Sequence, residues 1–192
     1  MYDLTLKGGR IYDGSGLPSF NADIGIANGK IVDIGRLNSG AKRTLNVEGL
    51  AVSPGFIDPH THLDAQLFWD PMGTSSCFHG VTSVVIGNCG LSLAPAQVEN
   101  RDAVVKSFVR VEAISRRVLE EGIQWKWIST AEYLKALGAR LGINAAALVG
   151  HIAVRHYVMG EEAVEREATP DEVALMKQLV RLSADPYVYY LR

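Results

Sequence analysis

From Met1 to about Ser53, apolar and polar residues alternate in short runs separated by turn residues. Tyr2-Asp3-Leu4-Thr5-Leu6-Lys7 alternates cleanly, Gly8-Gly9 interrupts it, and Arg10-Ile11-Tyr12 resumes before Asp13-Gly14-Ser15-Gly16. A period of two predicts strands with one face buried. Ala22–Ile26 and Lys30–Ile34 flank Ala27-Asn28-Gly29. Asn-Gly is a strong hairpin signal, because both central positions of the tight turn need positive φ. Residues 1–53 are therefore expected to form a small antiparallel sheet.

Beyond Leu50 the pattern changes to strands alternating with helices. Ala51-Val52 and Phe56-Ile57 lead the chain toward His60, and Val81–Ile86 is a β-branched run of the kind found in strands buried on both faces. A helix is expected over much of Val98 to Glu121. Ser129 and Glu132 form a capping box that opens a second helix through Tyr133, Leu134, Leu137 and Leu141. Ile143–Val149 is the next apolar strand, ending at Gly150-His151. Thr169, Pro170, Asp171 and Glu172 supply an N-cap, a first-turn proline and a capping acid for a further helix bearing Val173, Met176, Leu179 and Val180 on one face. Strand, helix, strand, helix implies parallel βα units.

Composition narrows the function classes. The chain has 192 residues, 47% hydrophobic and 21% charged, with a net charge of −2. Those values fit a soluble globular protein and give no basic patch for nucleic acid or an anionic membrane. Met1–Arg10 carries no signal-peptide pattern, and no apolar run approaches the roughly 20 residues that span a bilayer. A cytoplasmic location is expected. Cys77 and Cys89 are the only cysteines; without an export signal, metal or catalytic use gains weight over a disulfide.

Chemistry concentrates at two places. In "AVSPGFIDPHTHLDA", His60 and His62 stand two apart at the end of a strand-like run, so an extended backbone projects both imidazoles to one side, where they can share a cation. In "VVIGNCGLS", Cys89 follows the next strand between Asn88 and Gly90, and Gly87 and Gly90 suit a tight loop with a close backbone approach. Thiolate and neutral imidazole are common zinc ligands. Each motif has a plain structural reading as well: a His-X-His pair is a weak signal alone, and a lone cysteine is often a small buried residue. Asp58 and Asp64 are either solvated turn residues or acceptors that orient the imidazoles.

"PGFIDPHTHLDAQLFWDP" followed by "HGVTSVVIGNCGLSLAP" resembles the amidohydrolase superfamily, and within it the N-acyl-D-amino-acid deacylases (D-aminoacylases). "INAAALVGHIAVRHYVMGEEAVEREATPDEVALM" is similar to the next part of the same family. The resemblance runs from about Tyr2 to about Leu182. It implies an α/β fold: the first three or four βα units of a (β/α)8 TIM barrel over 54–182, preceded over 1–53 by part of a small β-sandwich domain. It implies His60, His62 and Cys89 as metal ligands, zinc as the metal, and hydrolysis of the amide of a small-molecule N-acyl-D-amino acid to a carboxylate and a D-amino acid. His151 and Arg155 lie in a recurrent family stretch and receive no chemical role; packing or loop anchoring is expected for both.

The family pattern also continues past this sequence. A TIM barrel takes about 250 residues, and the family's two further zinc histidines and its aspartate base belong to later strands. His79 and His156 do not lie in the motifs that would replace them. After Leu182 the family continues through a glycine-rich strand, whereas "SADPYVYYLR" (183–192) diverges, with Tyr190 where a histidine is common. Tyr187, Val188 and Tyr189 form a plain strand, a displaced later family strand or an unrelated tail. A half barrel would leave strand edges and apolar faces uncovered, so self-association is expected; a monodisperse monomer on size-exclusion chromatography would count against it. The competing functional class is a non-catalytic remnant, or a half barrel completed by a partner chain, which turnover by this chain alone would eliminate. A cyclic-amide hydrolase such as a hydantoinase fits the first motif and fits Gly-Asn-Cys-Gly poorly.

Overall fold

The Asn28-Gly29 turn forms where the sequence places it. Asn28 (φ 52°) and Gly29 (φ 70°) both take the left-handed conformation between β2 (Phe20–Ala27) and β3 (Lys30–Gly35). This hairpin belongs to the first of two compact units, Met1–Gly55 and Phe56–Arg192, in a computed structural model that describes residues 1–138 and 141–183.

The first unit is a five-stranded sheet ordered β3-β2-β1-β4, with β5 pairing the far half of β1. It is mixed, not antiparallel as the alternation suggested. β1 (Tyr2–Ile11), β2 and β3 are antiparallel, but β4 (Ala41–Asn46) and β5 (Ala51–Val52) both run parallel to β1. Side-chain alternation reports which face is buried and carries no information about strand direction. Buried Asp23 ties the β1 bulge to the β3–β4 connection: its carboxylate accepts from Gly8 N (2.9 Å) and from Leu37 N (3.2 Å). Those two N–H donors hold its pKa below the ordinary carboxylate value. Two residues on, Gly25 of β2 leaves room for Tyr2 of β1, because a Cβ there would stand 2.7 Å from the Tyr2 ring.

The second unit contains a parallel sheet ordered β6-β7-β8: β6 (Phe56–Thr61), β7 (Val81–Ile86) and β8 (Asn144–Ala147). Its helices are α1 (Arg101–Glu112), α2 (Arg116–Gly122), α3 (Thr130–Leu137), α4 (His151–Met159) and α5 (Pro170–Ser183). The fold class is thus mixed α/β. Both capping boxes form. Ser129 accepts from Glu132 N while Glu132 accepts from Ser129 N, and Thr169 and Glu172 repeat the exchange. The single helix expected over Val98–Glu121 is instead two. Ala113 adopts φ 54° and ends α1, and Ser115 caps α2 by accepting from Val118 N. The apolar periodicity persists across the break, which hides it, whereas the Ser115 cap is its local signal. α3 ends at Leu137, short of Leu141, with Gly138 N donating to Leu134 O (2.8 Å).

The core joins the inner face of β7 and β8 to the helices. Val84, Ile86, Ala145 and Ala147 pack with Phe108 of α1, Leu119 of α2 and Tyr133 of α3. Trp127 is buried, stacks on Phe68 with centroids 5.1 Å apart, and donates from Nε1 to Leu93 O (2.9 Å). At the start of β6, Phe56 and Ile57 remain exposed. Among the described residues, no helix is long and apolar enough to cross a membrane. Of the divergent tail at 183–192, Ser183 closes α5, and the rest, including Tyr187, Val188, Tyr189 and Tyr190, lies outside the described residues.

Candidate metal centre

The two histidines sit at the carboxyl end of β6, His60 within the strand and His62 one residue past it. Their register against β7 is irregular between Asp58 and Thr61, yet the rings lie face to face, 5.4 Å apart, with Nε2 to Nε2 at 3.4 Å. Cys89 follows the adjacent strand β7 and is exposed as a free thiol. Nitrogen and sulfur atoms of His60, His62 and Cys89 all lie within 4.8 Å of one another. Imidazole nitrogens bind zinc at about 2.0–2.1 Å, and a tetrahedral ion therefore spaces two such nitrogens about 3.4 Å apart. The observed nitrogen separation matches that spacing. Two imidazole nitrogens and one thiolate are a donor set suited to a borderline-soft divalent ion.

The loop that carries Cys89 is shaped by three close backbone approaches. Gly87 (φ 80°) lies against β8, where an added Cβ would stand 2.5 Å from Leu148 O. Gly90 (φ 88°) accepts from Ile152 N at 2.9 Å. Gly150 abuts the same turn, and a Cβ there would meet Gly90 O at 2.7 Å. Asn88 then ties the two ligand-bearing segments together by donating from Nδ2 to Pro59 O (2.8 Å). Of the two glycines flagged in the sequence, Gly87 meets backbone at close range, whereas a Cβ at Gly90 would stand 3.5 Å from His151 Cβ, an ordinary contact.

Neither flanking aspartate bonds an imidazole. Asp58 accepts from the backbone N of His60 at 3.2 Å and fixes the turn. Asp64 is not a solvated turn residue but 1% exposed, beneath the site and beside Tyr133, whose hydroxyl donates to Asp64 O (3.1 Å). Burial pushes its carboxyl up to about 7, against the opposing pull of His62 and the Ser92 hydroxyl. The group that does meet an imidazole is Glu112, at the end of α1, whose Oε1 contacts His62 Nδ1. Sequence reading did not find it, because no spacing rule links residues 50 apart.

The remaining candidates are structural. Arg155 donates to Ala163 O from Nε (3.0 Å) and from a terminal nitrogen (2.6 Å), and also to Arg166 O (2.9 Å), anchoring the loop after α4. His151 opens α4 and faces Gly90. His156 is buried with Nδ1 3.0 Å from Gly160 O, and His79 lies in a short 3-10 turn, Ser76–His79. None of these joins the trio.

Comparison with known proteins places the chain among hydrolases of one kind. Residues 43–187 match the family described as "Amidohydrolase family". The chain is 41% identical over 180 residues to D-aminoacylase from Alcaligenes xylosoxydans xylosoxydans, covering 93% of this chain and 34% of that protein. A solved D-aminoacylase, described by its binuclear metal centre with one-metal activation and second-metal attenuation, superposes with a TM-score of 0.77. It is 39% identical, over 94% of this chain and 36% of its own. N-acyl-D-glutamate deacylase from Bordetella bronchiseptica, solved with zinc and a phosphonate mimic of the tetrahedral intermediate, gives 0.70 at 31% identity, with 94% and 36% covered. The chain spans about a third of the length of the curated relatives it matches.

Proposed function

The chain belongs to the amidohydrolase family, and from that premise we propose that it forms the N-terminal part of a zinc-dependent deacylase of N-acyl-D-amino acids. In this reading residues 54–182 supply the first three or four βα units of a (β/α)8 barrel, and residues 1–53 supply part of a small β-sandwich domain. The observation that carries the proposal is the meeting of His60, His62 and Cys89 at the carboxyl ends of adjacent parallel strands, where βα barrels collect their chemistry. Likeness to D-aminoacylase over nearly the whole chain supports it, as does the Gly-Asn-Cys-Gly loop.

His60, His62 and Cys89 would hold the ion. Bound zinc supplies Lewis acidity toward the amide carbonyl and lowers the pKa of a water. The protein's own contribution in this segment is preorganisation. Gly87 and Gly90 let the Cys89 loop fold tightly against β8, Asn88 sets its distance from the histidine turn, and Asp58 fixes the backbone of His60. The remaining ligands, the general base and the grip on the substrate carboxylate are assigned to the later barrel strands that the relatives possess.

The test is metal content. After dialysis, the wild-type chain is expected to retain about one zinc per molecule by elemental analysis, a coordination number and donor set within the usual range for that ion. Cys89→Ala should lose most of it. Unchanged zinc in Cys89→Ala would reject the ligand set, and with it the deacylase reading of this site.

A further inference from the structure

We propose that Glu112 is the positioning residue of this centre: it fixes His62 as the Nδ1–H tautomer and so presents the bare Nε2 to the cation. The inference rests on the metal reading above and concerns how one ligand is held.

Three observations lead to it. A carboxylate can only accept, so the Nδ1 that meets Glu112 Oε1 must carry the proton. Nε2 of His62 is then a lone pair, and it points at Nε2 of His60 only 3.4 Å away. His60 can meet that lone pair with its own Nε2–H or, when both nitrogens are bare, by sharing a cation with it, and the 3.4 Å spacing suits both. His60, by contrast, has no hydrogen-bond partner at Nδ1 among the described residues, so orientation is supplied on the His62 side alone.

The second observation is where Glu112 sits. It is the last residue of α1, and Ala113 takes a left-handed φ of 54° immediately after it. A carboxylate at a helix C-terminus faces the negative end of the helix dipole, which disfavours it. A left-handed alanine is uncommon too. Both local features run against helix preference, and the carboxylate placed there meets His62, 50 residues away in sequence. The carboxylate is also screened, with 17% of the side chain exposed against 31% for His62.

The third is charge. A divalent ion with two neutral imidazoles and one thiolate leaves a net charge of about +1 in a site of this donor type. The Glu112 carboxylate cancels it at one bond's remove, which is how outer carboxylates strengthen histidine ligation. Asp58 and Asp64, the acids nearest in sequence, make no such contact.

The experiment uses the intact chain with histidine 15N labelling, and zinc as the probe. In metal-free protein, at a pH above the usual imidazole range, long-range 1H–15N correlation should show His62 as Nδ1–H. Glu112→Ala should mix the tautomers and weaken zinc by about 10–100-fold in competition with a chromophoric chelator. Glu112→Gln keeps an acceptor oxygen, so it should preserve the Nδ1–H tautomer while losing the charge and only part of the affinity. An Nε2–H signal from wild-type His62 would overturn the proposal without any variant. So would wild-type tautomer and zinc affinity in Glu112→Ala. If wild-type protein took up no zinc yet showed a Glu112-dependent Nδ1–H tautomer, the metal reading would fall and the positioning of His62 would stand.

Discussion

Replacing Gly87 and Gly90 separately by alanine separates two costs that usually arrive together. Both glycines have φ near +80 to +90°, at 80° and 88°, so an L side chain pays a similar left-handed penalty at each, about 1–2 kcal/mol. Both variants also gain the same small benefit from a less flexible unfolded chain. The difference lies in what the new methyl meets. At Gly90 the nearest atom is His151 Cβ at 3.5 Å, an ordinary contact. At Gly87 it is Leu148 O at 2.5 Å, with Leu148 C at 3.3 Å. That carbonyl belongs to a residue whose own N donates to Ile86 O at 2.9 Å, so the backbone on both sides is tied to the β7–β8 pairing and cannot swing away.

Forcing extra volume into such a contact costs about 1–3 kcal/mol. Gly87→Ala should therefore destabilise by about 2–5 kcal/mol in all and Gly90→Ala by about 1–2. The gap corresponds to roughly 5- to 150-fold in the unfolding equilibrium, at about 1.4 kcal/mol per decade. Urea unfolding followed by tryptophan fluorescence reads the relevant unit, because Trp69, Trp125 and Trp127, the only tryptophans, all lie after Gly55. Relief of the clash must also lift the loop that carries Cys89, so zinc affinity should fall further in Gly87→Ala than in Gly90→Ala. Equal midpoints for the two variants would refute the argument that backbone contact, and not only positive φ, selects glycine at 87.

Asn88→Ala should separate site from fold. It removes one exposed hydrogen bond to Pro59 O, costing at most about 0.5–1.5 kcal/mol of stability, yet it frees the two ligand segments from each other; a chelator competition should show weaker zinc binding with a nearly unchanged urea midpoint, and unchanged affinity would remove Asn88 from the site. Acid sensitivity has a separate source in α5. The guanidinium of Arg166 and the Thr169 N–H hold Glu172 down at about 2, from an ordinary value of 4.5. The folded pKa is depressed, so this contribution is complete above about 4.5 and fades as pH falls toward about 2. Urea midpoints of wild type and Glu172→Gln, followed by circular dichroism, should therefore converge between pH 7 and the low end of that window, and a constant gap would contradict the pairing.

Features written in local sequence were legible; those set by distant contacts were not. Asn28-Gly29, Ser129 with Glu132, and Thr169 with Glu172 each specify a turn or cap through residues at most three positions apart, and each forms as read. The parallel direction of β4 and β5 against β1 is a pairing between segments distant in sequence, and no periodicity encodes it. The break at Ala113 was masked because buried Val104, Val105 and Phe108 before it and Leu119 after it keep an apolar rhythm across the gap. Only the Ser115 cap marked the restart.

The site divides along the same line. His60, His62 and Cys89 could be named as candidates before any coordinates, because imidazole and thiolate are common zinc ligands, the strand period sets the two histidines on one side, and the resemblance to the deacylases supports Cys89; the structure brings the three within 4.8 Å of one another. The orienting shell has no such alphabet: any carboxylate, carbonyl or amide can serve, from any element that packs nearby. Proximity in sequence favoured Asp58 and Asp64, each two residues from a histidine, but the β6 register breaks between Asp58 and Thr61 and the strand ends at Thr61, so the period of two does not carry them to the imidazoles: Asp58 turns back onto His60 N and Asp64 is drawn down into the core beside Tyr133. A partner for a side chain standing at a strand tip must come from an element packed over that tip. α1 is the helix that follows the Cys89 loop, and its final residue, Glu112, reaches His62. In this chain the carboxylate that meets an imidazole therefore comes from the end of α1 and not from the residues flanking the two histidines.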